Sequence, residues 1–177
     1  MSLPVGEYRC SGCSFVQPSV HQSITLRYVL EDGRYGTAYR QAGWCKACDK
    51  VVDVEQLPDA STVMWELAKA ERAVRGMSNA DSVALSRAEQ LVERHGGTLA
   101  WLKQRRSRPR CLKCGTEQIV TREHDPSGAL RHSCGGVLDE VSPESGNMVR
   151  VSVVPIRYVM SVDGLVLRTE RDKERHD

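Results

Sequence analysis

The residues best suited to chemistry in this chain are its cysteines. Three CxxC turns occur, Cys10-Ser-Gly-Cys13, Cys45-Lys-Ala-Cys48 and Cys111-Leu-Lys-Cys114, and a seventh cysteine, Cys134, follows in the stretch RHSCGGVL. A CxxC turn points two sulfurs at one locus, about as far apart as two corners of a tetrahedron, so two such turns complete the four-thiolate cage that zinc prefers. The odd cysteine count argues against a closed disulfide framework. The opening MSLPVGEYRC contains no apolar run of the signal-peptide kind, and no window approaches the roughly 18 apolar residues of a membrane-crossing helix. The expected compartment is therefore the reducing cytoplasm, where paired cysteines hold metal or do redox work rather than form structural bridges.

Taken in chain order, the first two pairs make one site, Cys10, Cys13, Cys45 and Cys48. Gly12 inside the first turn, Gly43 just before the second pair and the basic Lys46 beside the thiolates all suit it. The alternatives are unpaired structural thiols or a thioredoxin-type motif, which wants a single CxxC at a strand-to-helix junction. Both pairs here are flanked by turn and strand patterns instead. Tetrahedral sulfur also suits iron. On these residues the segment 8–54 resembles a zinc ribbon, in the general sense of two knuckles presented by β-hairpins. The resemblance implies ligand roles for Cys10, Cys13, Cys45 and Cys48. It departs from a compact ribbon in the 31-residue gap between the pairs, which predicts a projecting hairpin.

A second site is expected from Cys111, Cys114, His132 and Cys134. Arg131 stands where a CxxC would place its first cysteine, and arginine does not ligate metal. His132 lies one position further on, and its longer side chain absorbs that shift. Three other arrangements compete: His124 swinging in from the opposite arm, a water in the fourth position, or a histidine left exposed at a strand end. An open, water-bearing site would also need a general base and a cleft before it catalysed anything. Glu123 and Asp125 are the nearby carboxylates, and both fall at a turn. Two closed sites would use seven thiolates and one imidazole for two zinc ions per chain.

The run KQRRSRPRCLK holds Lys103, Arg105, Arg106, Arg108, Arg110 and Lys113 with no acid among them. Such a run follows a phosphate backbone, or it serves as a solvated linker between a helix and a ribbon. Base-stacking aromatics are absent from it apart from Trp101 at one end, and Trp44 and Trp65 read as packing residues. The formal charge of +2 is no guide to partners, because a four-thiolate and a three-thiolate zinc site together subtract three. GxSxG, HExxH, Walker and GxGxxG motifs are all absent.

The elements that position these residues fall into three segments, 1–57, 58–107 and 108–177. With a single Phe and aromatics at 5%, large core anchors are scarce, which favours small modules supported by metal. In the first segment SITLRYVL and RYGTAYR alternate around EDG, a hairpin with Asp32-Gly33 at its turn, and VVDVEQL adds a short strand. In the second, Val63, Leu67, Ala70, Val74 and Met77 recur at helical spacing and Gly76 ends the helix. A second helix begins at a Ser78-x-x-Asp81 capping pattern, runs through Ala84, Leu85, Ala88, Leu91 and Val92, and stops at Gly96-Gly97. A third short helix starts at Thr98 and cannot pass Pro109. The last segment repeats the knuckle theme, adds VLDEV, and continues in strands whose phase shifts at Pro155, with a solvated tail RDKERHD.

The sum is an α+β chain in which two zinc-ribbon-like β modules flank a helical hairpin, with extra C-terminal β-strands. The expected function is that of a non-enzymatic zinc-binding adapter or regulatory protein. Its partner would be a protein, or a nucleic acid held through the basic segment, and the helical hairpin offers a surface for homo-oligomers. The competing classes are a nucleic-acid-processing accessory subunit or small metalloenzyme with an open second site, and a thiol redox switch.

Overall fold

In a computed structural model, the chain is described over residues 2–4, 6–19, 24–77, 82–141, 148–150 and 156–171. Its elements in order begin with β1 (Ser2–Pro4), β2 (Gly6–Cys10), β3 (Val16–Ser19), β4 (Ile24–Val29), β5 (Tyr35–Cys45) and β6 (Lys50–Gln56). Helices α1 (Ala60–Gly76) and α2 (Ser82–Gln104) follow, then β7 (Ile119–Val120), β8 (Leu138–Val141), β9 (Met148–Arg150), β10 (Ile156–Met160) and β11 (Val166–Arg171). The architecture is α+β, with a helical hairpin between the cysteine-bearing β segments and further strands at the C-terminal side. The expected capping pattern at Ser78–Asp81, the phase shift at Pro155 and the charged tail beyond Arg171 lie outside the described residues.

The long strand β5 is the spine. Its first part pairs antiparallel with β4, from Tyr35 opposite Val29 to Ala38 opposite Leu26. From Tyr39 to Cys45 it pairs with β6, and at Trp44 and Cys45 its other edge takes β7. The β4–β5 hairpin turns at Asp32-Gly33 as the sequence implies: Gly33 has φ +82°, a conformation that costs a residue with a Cβ, and the Asp32 carboxylate accepts from the Arg34 N–H. The hairpin formed by β10 and β11 does not stay with the knuckles near it in sequence. Instead β10 lies parallel to β4, giving the order β11-β10-β4-β5-β6. A smaller sheet, β3-β2-β8, likewise joins the first and last segments, with Cys10 opposite Leu138. Both sheets therefore draw on both ends of the chain.

Helix α1 is capped by the Asp59 carboxylate, which accepts from the Thr62 N–H at 2.8 Å. It buries Val63 and Ala70 as expected, whereas Met77 lies exposed just past its end. The expected stop at Gly96-Gly97 and the separate third helix are overturned. One helix runs unbroken from Ser82 to Gln104 through both glycines. The reason is packing: a Cβ on Gly97 would sit 2.2 Å from the carbonyl oxygen of Tyr35, so glycine here lets α2 lie directly on the backbone of β5. Gly36 makes the reciprocal concession on the strand, where a Cβ would fall 2.6 Å from Cβ of Trp101. That close approach seats Trp101, fully buried, against Leu26, Tyr28, Leu30, Ala38 and Met160. Its ring stacks on Tyr28 at 3.9 Å and its indole N–H donates to the Val162 carbonyl.

Beneath α2 lies a buried ion pair. Arg105 and Glu55 have side chains 2% and 0% exposed, and Arg105 donates through both terminal nitrogens to the two Glu55 oxygens, at 3.0 and 2.6 Å. Glu55 also accepts from the Tyr28 hydroxyl and the Arg110 N–H, while Arg105 donates to the carbonyls of Ser107 and Arg108. A charge pair so fully satisfied stands, but removing one member strands the other in low dielectric.

Two expected outcomes follow from these contacts. Gly97→Ala forces α2 off β5 and costs at least about 1–3 kcal/mol by overpacking, whereas Gly96→Ala, with nothing within 4 Å, gains up to about 1 kcal/mol of helix propensity. Urea unfolding of the two variants checks the contrast. Arg105→Met is expected to cost about 3–5 kcal/mol by leaving Glu55 unpaired, measured the same way.

Candidate metal centres

Each cysteine pair sits in a tight turn, the first two at the ends of strands and the third at an isolated bridge between Cys111 and Val54. Cys10 ends β2, and the chain returns through Cys13 so that the Cys10 N–H reaches the Phe15 carbonyl. Cys45 ends β5, and Asp49, with φ +50°, turns the chain into β6. At Cys111 the N–H donates to the Thr116 carbonyl and Gly115 takes φ +74°. The fourth turn, at His132 and Cys134, closes with the His132 N–H on the Gly136 carbonyl and Gly135 at φ +88°.

Those turns bring the donors together in two groups of four, each group within 4.8 Å, and the grouping differs from chain order. The first turn meets the last: Cys10, Cys13, His132 and Cys134. The middle two meet each other: Cys45, Cys48, Cys111 and Cys114. The expected partnership of Cys10 and Cys13 with Cys45 and Cys48, and of Cys111 and Cys114 with His132 and Cys134, is therefore corrected to a nested one. The physical reason is the sheet pairing. β2 lies beside β8, which carries the His132–Cys134 turn to Cys10, while the backbone of Asp53 and Glu55 in β6 bonds Leu112 and Arg110 and so carries Cys111 to Cys48.

In the inner group Sγ of Cys45 lies 3.6 Å from Sγ of Cys114, and Sγ of Cys48 lies 3.9 Å from that of Cys111. Cys45 and Cys111 are buried. Burial pushes the Cys111 thiol up to about 12 and the Cys48 thiol up to about 11, while the Thr116 N–H is the main influence that brings Cys114 down to about 7. The outer group lies nearer solvent, with Cys13 and Cys134 exposed. Here Sγ of Cys10 is 3.5 Å from Sγ of Cys134, and Nδ1 of His132 is 3.0 Å from Sγ of Cys134 and 3.5 Å from Sγ of Cys13.

His132 is thus the fourth member of the outer group. Its ring is held by Phe15 at 4.9 Å and by Trp44 edge-on at 4.3 Å, which fixes the rotamer that turns Nδ1 to the sulfurs. His124 faces elsewhere, with Nδ1 accepting from the Thr121 N–H at 3.0 Å. Arg131, in the place of the missing cysteine, pairs with Asp125 at 2.5 Å, and its guanidinium is the main cause holding the Asp125 carboxyl down to about 2. Glu123 accepts from the Gln56 amide. Neither carboxylate belongs to a donor group.

The donor sets fit a soft tetrahedral cation. The space around them fits too: a Cβ on Gly136 would stand 2.6 Å from Sγ of Cys10, so glycine there is what admits that sulfur, and a Cβ on Gly12 would stand 3.1 Å from Cα of Gly136, so glycine there lets the two turns approach. Sequence reasoning noted Gly12 and read Trp44 as a packing residue, which it is, but passed over the roles of Gly136 and Phe15 at the site. The sole Phe in the chain, two positions past Cys13, was the available signal.

The chain matches no family model, no curated protein and no solved structure.

Of the basic residues considered for phosphate contact, Arg105 is consumed by Glu55, and this corrects its assignment. Arg110 pairs with Glu117 at 2.8 Å and donates to the carbonyls of Asp163 and Gly115. Lys103, Arg106, Arg108 and Lys113 have exposed side chains. No helix among the described residues is long and apolar enough to cross a membrane.

Metal binding must deprotonate the thiols. Near neutral pH the Cys48 and Cys111 thiols, raised by burial, are protonated without metal, so zinc uptake by the inner group is expected to release about two protons or more, and apparent affinity falls as pH falls. Calorimetry in buffers of different ionisation enthalpy counts those protons.

Proposed function

We propose that the chain is a non-enzymatic zinc-binding adapter in which two structural zinc ions clamp the first and last β segments together and the remaining surface engages a macromolecular partner. The observation that carries this reading is the convergence of eight donors into two complete groups of four, with no carboxylate in either. Four protein ligands are what a structural zinc site uses, whereas a catalytic one keeps a position open. Zinc rather than iron suits the histidine-containing group, since three thiolates with an imidazole make a common zinc set.

Two surfaces support partner binding. Exposed Lys103, Arg106, Arg108 and Lys113 run from the end of α2 into the inner knuckle, and the acids beside them are engaged: Glu55 by Arg105, Glu117 by Arg110, and Asp163 by the N–H groups of Arg106 and Ser107. Unopposed charge of this kind suits a phosphate backbone. On the helical hairpin Met64, Trp65, Val83 and Leu91 are 44–61% exposed, a composition suited to a protein partner or a second copy.

The metal reading is checked by elemental analysis: two zinc per chain for the native protein, one for His132→Ala and one for Cys45→Ser. Retention of both by His132→Ala would remove His132 from the ligand set. The nucleic-acid arm is checked by titrating duplex DNA at several salt concentrations. Neutralising Lys103, Arg106, Arg108 and Lys113 together should flatten the log–log salt slope by about 3 to 4. No retention on DNA or RNA at low salt would eliminate that arm and leave a protein partner.

A further inference from the structure

We infer that the outer donor group is an oxidation site, in which a peroxide joins Cys10 and Cys134 as a disulfide and expels the metal while the inner group keeps its own. The inference rests on the reading that both groups hold zinc.

The two groups differ in the way that selects an oxidation target. Reactive cysteines are thiolates that an oxidant can reach, and metal coordination supplies the thiolate. Access then decides. In the inner group Cys45 is buried between β6 and β7 and Cys111 beside Val54, Cys48 is partly buried, and Cys114 alone of the four is exposed, so no exposed pair of sulfurs is offered there. In the outer group Cys13 and Cys134 are exposed and Cys10 is partly so. The two turns that present Cys10 and Cys134 meet at glycines, Gly12 and Gly136, whose missing side chains let the two backbones come together and so bring the two sulfurs side by side. Sγ of Cys10 and Sγ of Cys134 lie 3.5 Å apart on separate segments, close enough for a bond to form with small adjustments.

In the first step one thiolate attacks a peroxide oxygen; the O–O bond breaks, hydroxide leaves, and the sulfur becomes a sulfenic acid. The second thiolate attacks that sulfur, the S–S bond forms, and a second hydroxide leaves. Two thiolates have lost two electrons, and the peroxide, with two protons from solvent, has become two waters. Cys13 and His132 remain as two ligands, too few to retain zinc. Because Cys10 stands opposite Leu138 in the β2–β8 pairing, the new bond ties together the segments that the metal had held. The small sheet keeps its attachment while His132 and Cys13 are released.

The test uses the full chain loaded with two zinc, treated with hydrogen peroxide and followed with a chromogenic zinc chelator and peptide mapping. One equivalent is expected to leave, with the second at least about tenfold slower, in line with the site selectivity of thiol oxidation. The map should show Cys10 linked to Cys134, with Cys13 and the four inner thiols, Cys45, Cys48, Cys111 and Cys114, still reduced; a thiol reductant with added zinc should restore the starting state. Cys13→Ser retains both sulfurs and should still form the link, whereas Cys134→Ser should not. Simultaneous loss of both zincs, loss from the inner group first, or a Cys10–Cys13 disulfide would overturn the inference. A chain that holds two zincs and keeps both under peroxide also overturns it but leaves the adapter reading intact. A chain that never takes up zinc fails earlier, at loading, and removes both.

Discussion

The structure turns on one constraint: donors from opposite ends of the chain must converge within 4.8 Å, twice, in nested order. The inner group joins Cys48 and Cys111, 63 positions apart, and the outer group joins Cys13 and His132, 119 positions apart. A pairing by chain order would instead have closed Cys13 onto Cys45, only 32 positions away. The entropic advantage of that shorter loop is about 1 kcal/mol, because closure cost grows only with the logarithm of length. Zinc binding by a structural site is worth about 10–16 kcal/mol in either arrangement. The choice between them therefore falls to what packs around the sulfurs.

What packs there is a cluster of Tyr8, Trp44, Val51, Leu130 and Leu138, drawn from β2, β5, β6 and the segment that carries His132. Each such side chain contributes about 1.5–3 kcal/mol on burial, so the cluster outweighs the loop term several times over. Trp44 is its centre. It precedes Cys45 of the inner group in β5, and its ring lies against His132 of the outer group. Gln17 adds a polar link, its side-chain amide donating to the Val51 carbonyl at 2.7 Å and accepting from the Val51 N–H at 2.9 Å, as a strand neighbour would. A chain that paired its knuckles in sequence order would lose this shared cluster and gain two smaller modules, each with little to bury.

Legibility in the sequence followed the range of the interactions. The CxxC turns, the Asp32-Gly33 hairpin, the alternation of β4 and β5 and the apolar face of α1 are local, and all could be read. So could the membership of His132, because Arg131 excluded the nearer position. What escaped depends on contacts between distant segments: the nested pairing, the parallel placement of β10 on β4, and the burial of Arg105. Gly96-Gly97 misled for a related reason. A glycine pair reads locally as a helix end, but Gly97 answers to the Tyr35 carbonyl of a strand that lies some sixty positions earlier in the chain.

That unbroken helix also decides what the basic run can do. Had α2 stopped at Gly97, the four arginines and two lysines beyond it would have formed a free linker with six equivalent charges. Instead α2 delivers Arg105 beneath itself to Glu55, and the Asp163 carboxylate accepts from the N–H groups of Arg106 and Ser107 and pins the chain as it leaves the helix. Arg110 then ties the same turn to Gly115 and Glu117. The arginines that hold the segment in place are thereby withdrawn from binding, and their neighbours Arg106 and Arg108 are presented on a rigid path beside the inner metal group. For the phosphate-bearing partner proposed above, a fixed spacing of charge, rather than the number of basic residues, is what would matter.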